Sequence, residues 1–318
     1  MFLEWLIVFI ATFIGTGALN IIFRFLGKRG YMGNLYEPVR GGTPRGIGII
    51  PFIVISLFLP AGYNDLVLVM GICALIDDVV GRRRIANLPI EIGQLARGIG
   101  MLCVIGLGYP IMGLSSILVA LMIQPMNIAD MQPGSAVTVV GVMSFFTVLA
   151  TVILGVAPVA QIPAYYIPLL TFVTCIAYAP LDISGKIMLG EVGNHTFAIA
   201  LGICFYVLGG FIGTLILFIV TTALIAHIRR DNLTRFLINK LHINNPTFGD
   251  LFMDVLTGGG LGDLFRKIIL GQRQQIVTDS FLISLGFRRL LYNPYSPNRE
   301  RVVEKDSRTK PADLRRLN

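Results

Sequence analysis

Acidic side chains follow long apolar runs at several points of this 318-residue chain, where ionised groups are costly unless something compensates them. Asp77 and Asp78 end one apolar run, and Asp130 and Glu191 follow two others. Asn127 stands three residues before Asp130, so the two share a face of any helical turn. Carboxylate and amide oxygens suit Mg²⁺ or Mn²⁺. These residue types therefore predict a site for a hard divalent cation.

The adjacent pair Asp77 and Asp78 needs a positive partner, because the C-terminal end of a helix disfavours negative charge. Two partners are open: a divalent cation, or the basic run Arg82 to Arg84. The second alternative describes an interfacial Asp–Arg cluster that has no catalytic role.

Two glycine-containing loops carry basic residues beside these carboxylates. The first runs from Arg40 to Gly48, and its four glycines allow close backbone approach to a ligand. Arg40 and Arg45 suit phosphates, although a basic loop that only sets topology is the alternative. In the other loop Lys186 precedes Glu191, and flanking glycines suit a tight turn at a metal or phosphate. A hard metal together with Arg and Lys predicts a pyrophosphate substrate.

Composition identifies the elements that must position these groups as membrane helices. The chain is 54% hydrophobic and 14% charged, with a mean hydropathy of +0.75, whereas soluble domains carry about 25% charged residues. A membrane helix needs about 20 mostly apolar residues. We expect an all-α, polytopic membrane bundle with clear spans at 2–26, 46–59, 65–78, 96–108, 111–125, 135–157 and 163–180.

The sidedness of basic residues predicts the topology. Lys and Arg favour cytoplasmic loops. Before His227, the loops on one side of the predicted membrane hold nine Lys or Arg residues. The loops on the opposite side, near 60–64, 108–111 and 157–163, hold none. The basic tail must lie inside too, so the long run 196–226 needs two crossings, with a turn at Gly209-Gly210. We therefore expect nine crossings in the cell membrane, an outside N-terminus, a cytoplasmic C-terminus and a cytoplasmic active site.

The sequence predicts a membrane domain over 1–226 and a basic tail over 227–318, with 16 basic and nine acidic residues. Patches of the tail fit either basic amphipathic helices on an anionic membrane or a small solvated domain. The stretch from Thr257 to Asp263 is expected to be a flexible linker, and the end from Tyr292 to be disordered.

Four motifs in order resemble the polyprenyl-phosphate N-acetylhexosamine-1-phosphate transferase superfamily, over roughly residues 1–230. The superfamily patterns are Thr-Pro-x-x-Gly-Gly, Asp-Asp after the third helix, Asn-x-x-Asp-Gly and Gly-Asp-x-Gly-Ser. The matching segments are Thr43–Gly48, Asp77-Asp78, Asn127–Met131 and Gly190–Asn194. Glu191 replaces the family's Asp, Met131 a Gly and Asn194 a Ser, and His227 is a faint match to a histidine-rich loop.

The resemblance implies an Mg-dependent transfer of sugar-1-phosphate from a UDP-N-acetylhexosamine to a polyprenyl phosphate, with release of UMP. Asp77 would contact or deprotonate the lipid phosphate, and Asp78 and Glu191 would hold Mg²⁺ or Mn²⁺. The nucleotide-sugar and phosphate groups would be bound by Asn127, Asp130, Arg40, Thr43, Lys186 and His227.

Two other functions stay open on the sequence. The departures from the family patterns favour an inactive homologue that binds lipid or scaffolds a partner through its basic tail. A transporter is the third alternative, without obvious internal repeats. The sequence allows a homodimer, and we expect no nucleic-acid partner.

Overall fold

The computed structural model describes residues 2–37, 42–81, 83, 91–159 and 161–297. Contacts divide the chain into two compact units, with the boundary between Thr221 and Thr222. Arg40, Arg82 and Arg84 lie outside the described residues, so the predicted partner role of the run Arg82 to Arg84 is not tested.

The first unit is built from apolar helices joined by short loops. A small sheet pairs β1 (Tyr36–Glu37) with β2 (Thr43–Pro44) in antiparallel register. The helices are α1 (Phe2–Lys28), α2 (Ile49–Phe58), α3 (Tyr63–Val80), α4 (Ile92–Met112), α5 (Ser115–Leu121), α6 (Ile123–Ala129), α7 (Ser135–Ile153), α8 (Tyr166–Ile183) and α9 (Gly190–Ile228).

Within the described part of the chain, five of these helices are long and apolar enough to cross a membrane: α1, α4, α7, α8 and α9. The helix α2 and the pair α5–α6 are apolar but shorter. Because helices satisfy their own backbone hydrogen bonds, they are a stable way to span lipid. The expectation of an all-α fold with membrane helices is confirmed.

Small residues bring these helices into close contact. A methyl group at Gly71 of α3 would collide with the Phe52 ring of α2. At Gly100 of α4, a Cβ would lie 2.9 Å from the Met70 sulfur of α3. Glycine therefore permits the tight packing of α3 between α2 and α4, as is typical of membrane bundles.

The run predicted to contain a turn is interrupted where expected. Gly209 and Gly210 have non-helical backbone angles, with φ +56° at Gly210, inside the segment assigned to α9. A Cβ on Gly213 would lie 3.3 Å from the Phe205 carbonyl oxygen, although eight helical residues span about 12 Å. The chain therefore bends sharply at the glycine pair.

The second unit has short helices held by ion pairs. They are α10 (Arg230–Leu241), α11 (Phe248–Thr257), α12 (Gly260–Leu270), α13 (Ser280–Ser284) and α14 (Phe287–Leu290). Thr247 and Asp250 form a capping box at the start of α11. Arg289, which is almost fully buried, lies 2.5 Å from Asp254.

Two expectations for this unit are wrong in part. The predicted linker is only Gly258 and Gly259, because α12 begins at Gly260. Tyr292 and Asn293 are buried rather than disordered, and the Asn293 side chain donates to the Gly271 carbonyl at 2.9 Å. The rest of the predicted disordered end, 298–318, lies outside the described residues.

Candidate active site

Main-chain contacts join the first predicted loop to the fourth. The Met188 N–H donates to the Pro44 carbonyl at 2.9 Å, and the Gly48 N–H donates to the Leu189 carbonyl at 3.1 Å. Pro44 is already held in the sheet by its pairing with Tyr36. Two segments about 145 residues apart in the sequence thus form one backbone platform.

Glycines make this platform possible. Gly46 and Gly190 both have positive φ, and a Cβ on Gly190 would lie 2.7 Å from the Gly46 Cα. A Cβ on Gly193 would lie 2.6 Å from the Gly48 Cα. The sequence predicts ligand approach at Gly46 and Gly48 and a tight turn at a metal or phosphate at Gly190 and Gly193. In the structure these glycines let one chain segment approach another.

Asp78 joins α3 to the beginning of α9. Its carboxylate accepts the Glu191 N–H at 3.0 Å and the Val192 N–H at 2.9 Å, and the Arg45 Nε lies 3.2 Å away. The side chain is fully buried. The positive compensation that the sequence required therefore comes from the N-terminus of α9 and from Arg45.

Glu191 projects from that same first turn of α9 into a group of three cationic or polar side chains. Its Oε1 lies 3.5 Å from Arg45 Nη2, and its Oε2 lies 3.0 Å from Arg97 Nη2 and 3.2 Å from His195 Nε2. These contacts have ion-pair distances, but the buried Oε2 accepts no hydrogen bond with acceptable angles.

Asp77 completes the acidic side of the site. Its Oδ2 accepts from Arg97 Nη2 at 3.0 Å, so one guanidinium contacts both Asp77 and Glu191. The carboxylate packs directly against Gly93 in the first turn of α4, where a methyl group would collide with it. Glycine at that position admits the side chain.

Asn127 is also brought to this group. Its Oδ1 accepts from Asn194 Nδ2 at 2.6 Å and lies 3.1 Å from His195 Nε2. The His195 ring of α9 is completely buried. Its Nε2 contacts Asn127 of α6 as well as Glu191 of α9, so it links the two helices. We call the following residues the polar cluster: Arg45, Asp77, Asp78, Arg97, Asn127, Glu191, Asn194 and His195.

Asp130 follows α6 and differs from the cluster carboxylates in its partners. Its side chain has no hydrogen-bond or ion-pair partner among the residues that the structure describes. Although part of its surface is accessible, desolvation and the nearby negative charge of Asp182 raise the pKa of Asp130 well above its usual range. Asp182 itself accepts the Gly134 N–H at 3.0 Å, at the start of α7. A cation near Asp130 would relieve this unfavourable environment.

The other predicted site residues take different positions. Thr43 is buried in β2, and the Lys186 side chain is exposed. His227 is exposed and belongs to the second unit. Arg40 lies outside the described residues.

Arg97 and His195 are the site residues that sequence reasoning missed. The sequence predicts Arg97 only as one of the basic residues on the cytoplasmic side. A charge within an apolar segment is, however, a signal of function. His195 stands four residues after Glu191 on a helix, which places the two side chains on one face. That spacing was the available signal.

The carboxylate and amide oxygens of the polar cluster do not form a complete set of metal ligands. Among the described residues, no group of three or more His, Cys, Asp or Glu side chains is arranged to hold a metal ion. Asp78 is already engaged by three donors. Glu191 already has Arg45, Arg97 and His195 at ion-pair distances, so a cation would reach it only in exchange for one of these contacts.

No protein-family model matches this chain, and no curated protein matches its sequence.

Proposed function

We propose that the chain transfers sugar-1-phosphate from a UDP-N-acetylhexosamine to a membrane polyprenyl phosphate and releases UMP. One observation carries the proposal: the side chains of all four motif segments meet in the polar cluster. Asp78 and Glu191 are 113 residues apart and Asn127 and Asn194 are 67 apart, yet each pair is in hydrogen-bond contact. The resemblance required these segments to form one site, and unrelated loops have no reason to converge in this way.

In the proposed reaction, an oxygen of the lipid phosphate attacks the sugar-linked phosphorus. The bond between that phosphorus and the bridging oxygen breaks, and UMP leaves with the oxygen. Most of the catalysis is positioning and charge neutralisation. Arg45 and Arg97, whose side chains are 26% and 20% exposed, are suited to contact the phosphates.

The carboxylates take distinct roles in this proposal. Asp77 contacts or deprotonates the lipid phosphate, beside Arg97, which lies 3.0 Å from its carboxylate. Asn127 and Asp130 bind the nucleotide-sugar. Asp78, expected as a metal ligand, is better suited to fix the backbone of Glu191 at the start of α9, because its oxygens already accept two N–H groups.

Mg²⁺ or Mn²⁺ remains the proposed cofactor, with Glu191 as its main protein ligand. Mg²⁺ is commonly bound by one or two carboxylates together with substrate phosphates rather than by a complete protein cage. When bound, the ion would neutralise charge on the diphosphate. The Glu191 side chain is 22% exposed and shares Arg97 with Asp77, which supports access of an ion to these two carboxylates.

The direct test is an assay of UMP release by purified protein with undecaprenyl phosphate and a panel of UDP-hexosamines. We expect release with at least one sugar, and we expect EDTA to stop it. Folded, metal-replete protein that releases no UMP with any of the substrates would reject the proposal.

The second candidate is a non-catalytic lipid-binding or scaffolding homologue. One observation favours it: the cluster carboxylates are already paired internally with Arg45 and Arg97. Under this alternative, deletion of 231–318 abolishes the cellular role, and substitution of Asp77 or Glu191 does not.

We also propose nine crossings, an outside N-terminus and a cytoplasmic C-terminus. The crossings are α1, α2, α3, α4, α5 with α6, α7, α8 and the two parts of α9. The sharp bend at Gly209 and Gly210 supports two crossings within α9. Cysteine labelling at Asn64 and Ser307 tests this topology, and labelling of both from the same side would contradict it.

A further inference from the structure

The helix α12 of the second unit turns an apolar face outward. Phe265, Ile268 and Ile269 are 64%, 71% and 65% exposed. Positions i, i+3 and i+4 lie on one side of an α-helix, so the three side chains form one face. We call this set the α12 apolar face.

Polar contacts on the inner side of α12 fix this orientation. Arg266 is 6% exposed, and its guanidinium donates to the Thr257 carbonyl at 3.0 Å and to Asp263 Oδ1 at 2.8 Å. Rotation of α12 to bury its apolar face would take this guanidinium away from its partners. Leaving a buried charge without its partners is strongly destabilising, so the contacts of Arg266 favour the outward orientation of the α12 apolar face.

We propose that the α12 apolar face lies in the interfacial region of the bilayer that the chain's own helices cross. This inference goes beyond the transferase activity and does not depend on it.

Chain connectivity supports a lipid occupant. The helix α9, which is long and apolar enough to cross a membrane, ends at Ile228, and α10 begins at Arg230. The second unit begins at Thr222, so it includes the last residues of this candidate span, and α10 follows directly. Ile14 and Ile21 of α1, another candidate span, are exposed to the same degree as the α12 apolar face, at 62% and 69%.

Charge supports an anionic leaflet. Residues 222–297 contain nine Lys or Arg against five Asp or Glu. Basic segments beside a membrane are attracted to anionic headgroups. The remaining segment of this chain, 298–318, is a poor alternative cover, because 11 of its 21 residues are charged.

Lys267 marks the opposite side of the same helix. It is exposed, and its ammonium lies 4.8 Å from the centre of the Tyr295 ring. Two helical residues are about 200° apart around the axis, so Lys267 points away from Ile269. With the α12 apolar face in the bilayer, Lys267 lies on the side towards water.

Tryptophan fluorescence in the full chain tests this orientation. Trp5 is the only tryptophan, so Trp5→Phe gives a silent background. Ile269→Trp and Lys267→Trp are then compared in nanodiscs of phosphatidylglycerol and phosphatidylcholine that carry bromine on their acyl chains. Both variants have an exposed position on one helix, and thermal unfolding checks that both are folded.

We expect brominated lipid to quench Trp at 269 at least about twofold more than at 267, with blue-shifted emission only at 269. Equal quenching at the two positions, or stronger quenching at 267, would overturn the proposal. A blue shift at 269 without bromine quenching would also overturn it, because the face would then be covered by protein, such as a second copy. Nanodiscs of phosphatidylcholine alone should reduce the quenching at 269, and unchanged quenching would reject the anionic leaflet.

Discussion

The carboxylate of Asp78 accepts the backbone N–H of Glu191 at 3.0 Å, although 113 residues separate them in the sequence. This hydrogen bond joins the C-terminal end of α3 to the N-terminal end of α9. It places a carboxylate, disfavoured at the end of its own helix, where the dipole of another helix stabilises it. The position of Glu191 in the polar cluster therefore depends on Asp78.

Asp78→Asn should destabilise the fold by about 2–4 kcal/mol, because the partly exposed Arg45 loses its nearer anionic partner and α9 loses a buried negative charge at its N-terminus. Thermal unfolding measures the loss. Asp65→Asn is the matched control, since Asp65 lies in the same helix and is exposed. If Asp78 acted only as a metal ligand, EDTA would remove the difference between wild type and Asp78→Asn. A difference that persists in EDTA supports the structural role.

Glu191→Ala should reduce UMP release by on the order of a hundredfold or more, because it removes the proposed metal ligand and the partner of two arginines. Glu191→Asp should retain a substantial fraction, because it keeps a carboxylate, shortened by one methylene, on the side of Arg97 and His195. Wild type should also gain thermal stability from Mg²⁺, and Glu191→Gln should not. An unchanged Mg²⁺ response in Glu191→Gln would place the ion elsewhere.

His195→Phe should lower kcat/KM by about a hundredfold, because it removes the ring nitrogen that contacts Glu191 and Asn127. His195→Gln should retain more activity, since its amide can donate a hydrogen bond. The KM for the UDP-sugar should rise in His195→Phe if Asn127 binds the nucleotide-sugar. Equal activity of the two variants would show that the ring acts only by filling space.

Asp130→Asn should abolish transfer and yet stabilise the substrate-free protein. The raised pKa of Asp130 means that folding favours the protonated form. Its contribution to stability is present below the unfolded pKa of about 4 and is lost as pH rises through the folded value. The Tm advantage of Asp130→Asn over wild type should therefore grow between pH 4 and pH 8. An advantage that stays constant with pH would contradict the burial argument.

Local sequence determined the membrane helices and their interruption. Apolar runs such as Phe2–Lys28 fold as helices because lipid requires each segment to satisfy its own backbone. The pair Gly209-Gly210 interrupts α9 because glycine readily adopts non-helical backbone angles. The sequence also indicated the four segments that form the cluster, because charges beside apolar runs are costly and therefore informative. Each of these signals can be recognised from one short stretch of the sequence, without knowledge of its partners.

The partners of the site residues were decided by tertiary structure. Asp78 contacts a helix N-terminus because α9 begins next to it in the folded chain. The residues around Asp78 in the sequence do not indicate that α9 lies there. Arg97 and His195 reach the cluster because the first two turns of α4 and α9 lie beside Asp77 and Asn127. The predicted linker and part of the predicted disordered end were wrong for the same reason: Arg266 and Asn293 are held by contacts with residues nine to 22 positions away. Composition does not report such contacts.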